Sequence, residues 1–173
     1  MVARVERLTR PIAPARLAAL AHSLLRGSKL CAIATVNADG SAHINTAYFA
    51  YGDDFAIVWC SAPQARHSRN IRDRRRAAIA VFDSTQMWGR DDRGIQVFGA
   101  ARELRGRSAD EAQRLYVARV RAATDIGKTY RFYRLRPARL KMFDETKLGG
   151  ATWVTARVGA SGRLRWMRSE RYV

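Results

Sequence analysis

Residues 34–83 read ATVNADGSAHINTAYFAYGDDFAIVWCSAPQARHSRNIRDRRRAAIAVFD, and this stretch decides the fold. Two strand-like runs, LCAIATVN (30–37) and SAHINTAYFAY (41–51), flank Ala38-Asp39-Gly40, a turn dipeptide that predicts a hairpin. Gly52-Asp53-Asp54 breaks the chain again before FAIVWCSA, so three sequential strands are read as a meander. QARHSRNIRDRRR is too polar and too poor in β-branched residues for a strand, and Pro63 stands where a helix can begin. It predicts a short helix, followed by AAIAVFD as a fourth strand.

Working outward, Leu17, Leu20, Ala21, Leu24 and Leu25 recur at helical spacing, with Pro14 before them and Gly27 after, which predicts an amphipathic helix. GIQVFGAARELRG (94–106) reads as a long fifth strand in which Gly99 marks a bulge or a close approach. Ser108-Ala109-Asp110-Glu111 fits a capping box opening a helix to about Ala123, and TDIGKTY (124–130) a loop. RFYRLRPARLKMFDE (131–145) is a sixth strand that Pro137 restricts to an edge or a bulge; ATWVTARV and RLRWMRS add one or two more around a turn at Gly159 to Gly162. The pattern is a single α+β domain spanning 1–173, mainly β, a small barrel of six to eight antiparallel strands with flanking helices. A doubly wound parallel sheet lacks the regular alternation it needs.

Composition narrows the function. No apolar run reaches the length of a membrane span and MVARVERLTRPIAPAR has no signal-peptide core, so a cytoplasmic protein without a membrane partner is expected. Cys31 and Cys60 lie in apolar runs without CxxC spacing and read as reduced thiols, and His22, His43 and His67 show no ligand spacing, so no metal is expected. The net charge of +17 comes with only four lysines, Lys29, Lys128, Lys141 and Lys147. Such a surface attracts phosphates of any kind. Six arginines between Arg66 and Arg76 leave two readings, a backbone track for nucleic acid or a site for one small phosphate set in a solvated exterior. The second is preferred, and nucleic acid is not the expected partner.

In order and motif, the helix at 17–25, ATVNADG, the 41–51 strand, the Ser61 to Arg76 segment and GIQVFGAARELRG resemble the flavin-binding split-barrel family related to pyridoxamine 5'-phosphate oxidase. YRLRPARLKMFDE is similar to a later strand of that family. The resemblance implies a homodimer holding FMN, with Ser61 and Arg66 meeting its phosphate and His67 standing where a Lys is frequent. It implies further that Asn45, Thr46 and Ala47 run beside the isoalloxazine ring and that Gln96 reaches the flavin. Trp59 and Trp88 could flank the groove, but buried packing is their commoner fate. Deazaflavin, FAD or haem are alternative cofactors, and haem would need His43 or His67 as axial ligand.

The activity implied is a flavin-dependent oxidoreductase acting on a small molecule, with a nicotinamide nucleotide as a candidate partner; its catalytic residues are not identified. A basic nucleic-acid-binding protein and a flavin-storage module without turnover are the other readings. Vitamin B6 oxidation is disfavoured, because Tyr48 stands near where those oxidases carry Lys and the segment from Ala151 to Val173 has no His.

Overall fold

The computed structural model describes residues 4–87, 89–121, 126 and 129–173. In chain order the elements open with β1 (Val5–Leu8), α1 (Pro14–Arg26), β2 (Leu30–Val36), β3 (Ala42–Tyr48), β4 (Ala50–Tyr51) and β5 (Ile57–Ser61). Then come α2 (Arg66–Arg74), β6 (Arg76–Phe82), β7 (Arg93–Glu103), α3 (Arg107–Arg119), β8 (Arg131–Asp144), α4 (Glu145–Leu148), β9 (Thr152–Val158) and β10 (Leu164–Tyr172). The architecture is the α+β split barrel, a mostly antiparallel sheet with helices beside it. β1 is a short strand the sequence does not announce, and the run read as one strand over 41–51 is split into β3 and β4, which brings the count among described residues to ten.

The chain forms two compact units, and β6, β7 and β8 each pass from one to the other. The first comprises residues 1–28, 80–97 and 138–173. There β1 pairs with β10, β10 with β9, and β9 with the second half of β8, all antiparallel. Helix α1 opens on Pro14, whose fixed φ and missing N–H suit a first helical turn, and packs on β10. Its buried face is the stripe Leu17, Leu20, Ala21, Leu24 and Leu25 read from the sequence. Each fully buried leucine contributes about 1.5–3 kcal/mol.

Residues 29–79 and 98–137 make the second unit. The β2–β3 hairpin forms as expected, with Gly40 at φ 87° and Asn37 and Ser41 closing the turn. The meander does not continue. β5 pairs with β4 and with the first half of β8 (Ile57↔Leu135 to Ser61↔Arg131) rather than with β3. Its run of three fully buried residues explains why: a strand covered on both faces belongs inside the unit, not at the hairpin's margin. Trp59 stacks on Tyr133 at 5.8 Å between ring centroids, both completely buried, so the indole serves the core. Trp88 lies outside the described residues.

Two other expectations need correction. Helix α3 begins at Arg107 with Gly106, not Ser108, at the N-cap, and no side chain caps it; its last helical residue is Arg119. Residues 122–125, 127 and 128, part of the expected helix end and loop, lie outside the described residues. Pro137 sits inside β8 in the gap between the ladder to β5, ending at Leu135, and that to β9, starting at Arg139, where neither strand needs its missing N–H. Gly99 marks a close approach, since a Cβ there would collide with the Arg136 carbonyl.

Candidate functional site

The site is built in the second unit, where β5 hands over to α2 beside the β2–β3 hairpin. Ser61 closes β5, half-buried; a turn with Ala65 N–H donating to Ala62 O (3.1 Å) follows, and Arg66 is the first residue of α2. No side chain caps α2, so its first-turn amides keep their donors for an outside acceptor. Arg66 is exposed at this end.

Helix α2 is polar overall yet buries His67, Ser68, Asn70 and Ile71 against β2 and β3. Asn70 Nδ2 donates to Thr35 Oγ1 and to Asn37 Oδ1, both at 3.0 Å, fastening helix to hairpin. Two arginines of the basic run brace the same corner: Arg72 Nη1 donates to Pro63 O (2.8 Å) and Arg74 Nη2 to Ala38 O (2.9 Å). The exterior expected of Arg72 to Arg76 is therefore exposed but not idle. Arg75, at φ 55°, ends the helix in the left-handed region, and its carbonyl accepts from Ala101 N–H (2.6 Å).

His67 is 4% exposed, and its Nε2 has no hydrogen-bond partner. Its ring lies parallel to that of His43, centroids 6.3 Å apart and planes within 6°. Burial, and secondarily the neighbouring His43, hold the His67 pKa below the ordinary value of 6.5, so the imidazole is neutral at pH 7. A neutral ring leaves positive charge at this corner to Arg66 and the helix start. Cys31 lies opposite Ala47, and burial pushes its thiol up to about 12, so it is inert.

Register splits the β3 residues between two faces. His43, Asn45 and Ala47 share a face with the buried Thr35, Ile33 and Cys31; Thr46 shares the exposed one with Ile44 and Tyr48. Asn45 Nδ2 donates to Thr46 O (2.9 Å). In the second unit β2 is the only ladder partner of β3 among the described residues, so alternate backbone groups turn to an open edge. The structure thus gathers β3, Ser61, Arg66 and His67 within one unit. Gln96 belongs to the other, half-buried on β7 between Ile95 and Val97.

His43 was named only as an alternative haem ligand, and neither its stacking on His67 nor Asn70 as the link between helix and hairpin was read from the sequence. His43 is invisible to spacing because 24 positions separate the two rings in the chain. An Asn inside a helix of nine residues was a usable signal for Asn70, since a poor helix former in mid-helix often has a partner. Among the described residues no group of three or more His, Cys, Asp and Glu is placed to hold a metal ion.

The donors present are of the kind a phosphoryl group takes: α2 starts without a side-chain cap, Arg66 is exposed at its first position, Ser61 ends the preceding strand, and the buried His67 has an unpartnered Nε2. Solved structures of the same fold include a heme binding protein from Mycobacterium smegmatis (TM-score 0.72, 21% identity), covering 90% of this chain and 62% of that one. The present chain therefore spans about three fifths of that protein. A protein related to general stress protein 26, of the pyridoxinephosphate oxidase family, from Clostridium acetobutylicum is similar over 83% of this chain and 95% of its own (TM-score 0.63, 12% identity). An F420 reductase is similar over 69% of this chain and 94% of its own (TM-score 0.55, 20% identity). No curated protein matches the chain. The profile of the family described as Pyridoxamine 5'-phosphate oxidase matches residues 17–144, about three quarters of the sequence, and the chain belongs to that family.

Proposed function

We propose that the protein is an FMN-dependent oxidoreductase acting on a small molecule, with a nicotinamide nucleotide as its candidate electron partner. The observation that carries this reading is the uncapped start of α2, with Ser61, Arg66 and the unpartnered His67 Nε2 around it. Arg66 would fork onto phosphate oxygens, the first-turn amides of α2 and the Ser61 hydroxyl would complete the cradle, and neutral His67 would donate one N–H. The open edge of β3 at Asn45, Thr46 and Ala47 would offer backbone donors and acceptors to the polar rim of the ring. A bound flavin supplies the electron chemistry, so the chain's own work is to grip, orient and exclude water. Gln96 keeps its place near the flavin on the resemblance alone. Deazaflavin and FAD are phosphorylated too and would use the same corner.

The protein is proposed to act as a homodimer in the cytoplasm. The outer face of the hairpin supports the dimer: Leu30, Ile44 and Tyr48 are 48%, 69% and 51% exposed, and Leu30 stands directly opposite Tyr48. Side chains this apolar on an edge pair call for a cover.

Haem is the second reading, and the stacked His43–His67 pair favours it. With its Nε2 unpartnered, His67 would be the residue to hold a haem iron. The absorption spectrum of the purified protein, followed by addition of FMN, decides between the two. Flavin bands support the first reading; a Soret band, or a protein that stays colourless with FMN, overturns it.

A further inference from the structure

We propose that Glu103 is a positioning residue of the phosphate corner, holding Arg72 so that the turn entering α2 stays fixed. The proposal rests on the flavin reading above and adds a residue to it. Glu103 ends β7, and its side chain is only 14% exposed. A carboxylate that far from water needs donors around it, and three surround this one. Arg72 Nη1 lies 3.7 Å from Oε2, Arg105 Nε lies 3.5 Å from Oε1, and the Tyr133 hydroxyl reaches Oε2 at 3.5 Å.

Two of these partners connect the carboxylate to the corner. Arg72 Nη1, the nitrogen facing Glu103, also donates to Pro63 O at 2.8 Å, and Pro63 sits in the 62–65 turn that delivers Arg66 to the start of α2. Tyr133 is fully buried on β8 directly opposite Trp59, two residues before Ser61 on β5. Leu104 N–H donates to Phe132 O (2.8 Å), which ties the end of β7 to the same stretch of β8. One carboxylate therefore touches both the strand beside Ser61 and the arginine that holds the turn before Arg66.

Charge is what Glu103 contributes. An arginine side chain has many rotamers, and that of Arg72 is 41% exposed, so one hydrogen bond to a carbonyl leaves it able to swing toward water or toward a bound phosphate. A fixed carboxylate narrows that freedom and offsets the guanidinium charge. Arg66, which no carboxylate pairs among the described residues, then remains the cation at the helix start. Arg105 adds little, because its side chain is 86% exposed. The arrangement is invisible in sequence: Glu103 stands 30 positions from Tyr133 and further still from Arg72.

The test compares FMN with riboflavin, which carries the same ring and no phosphate, by fluorescence titration of the parent, Glu103→Gln, Arg72→Gln and the double variant. Glu103→Gln keeps the shape and removes the charge, and it is expected to weaken FMN binding by about three- to tenfold, as loss of a partly buried charged contact does. Riboflavin affinity is expected to stay within about twofold, and the double variant to match the weaker single variant to the same margin, since the two residues act through one another. Tyr133→Phe keeps the buried ring; it should give a smaller loss of the same FMN-specific kind and covers a Glu103 variant that folds poorly. Equal weakening of both flavins in Glu103→Gln would mark a general support of the fold and overturn the proposal. Unchanged FMN affinity, or additive losses in the double variant, overturn it too. A parent that binds FMN no better than riboflavin overturns the flavin-phosphate reading itself, a comparison in which no variant takes part.

Discussion

His43 on β3 and His67 on α2 lie face to face, planes within 6° and centroids 6.3 Å apart, with His67 held neutral by burial and by its neighbour. The unfolded chain takes up a proton on this residue near pH 6.5, and the folded chain only at lower pH. Protons therefore favour the unfolded state between those two values. The stability tied to His67 is full above about pH 6.5 and declines as pH falls through the window below it. Denaturant melts at pH 7.5 and pH 5.5 should differ more for the parent than for His67→Gln; equal differences would remove His67 as the cause.

Asn70 fastens α2 to the hairpin through Thr35 and Asn37. Asn70→Ala leaves the buried Thr35 hydroxyl without that donor, and a loss of about 1–3 kcal/mol is expected in urea unfolding. Flavin affinity should fall with it, because the helix start is positioned from the same anchor. A change in stability with flavin affinity untouched would separate the anchor from the site.

Gly99 lets two strands approach more closely than any side chain permits. Gly99→Ala drives a methyl into the Arg136 carbonyl and the Pro137 backbone, neither of which can swing aside. The cost should reach or exceed roughly 1–3 kcal/mol, the usual range for overpacking. Thermal melting reads it, and a neutral result would mean that β7 and β8 separate without penalty.

Ile44 is the most exposed large apolar residue of the hairpin. Ile44→Glu places a charge on the face proposed to meet a second copy. Light scattering should give a dimer mass for the parent and a monomer mass for the variant at micromolar concentration. A monomeric parent would leave the apolar face without its proposed cover.

The local elements of this fold were legible where one signal sufficed: helical spacing for α1, the Asp39-Gly40 turn for the hairpin, polarity without β-branching for α2. Pairing was less so. Nothing local says that β5 joins β8 across some seventy residues, because ladder partners are chosen by burial of both strand faces. VERL, now β1, carries no strand signal of its own and is ordered by the edge of β10. Of the candidate site, Ser61, Arg66 and His67 were named through the family resemblance, whereas the His43–His67 stack and the roles of Arg72 and Arg74 depend on where the hairpin comes to rest.

The central claim is that the corner between Ser61 and His67 grips the phosphate of a flavin, and FMN titration of the parent and Arg66→Ala, followed by flavin fluorescence, tests it most directly. The account predicts saturable binding by the parent and a loss of about 1.5–3 kcal/mol, or roughly ten- to more than a hundredfold, in the variant. An equal affinity in the two proteins, or no binding by the parent, would contradict it.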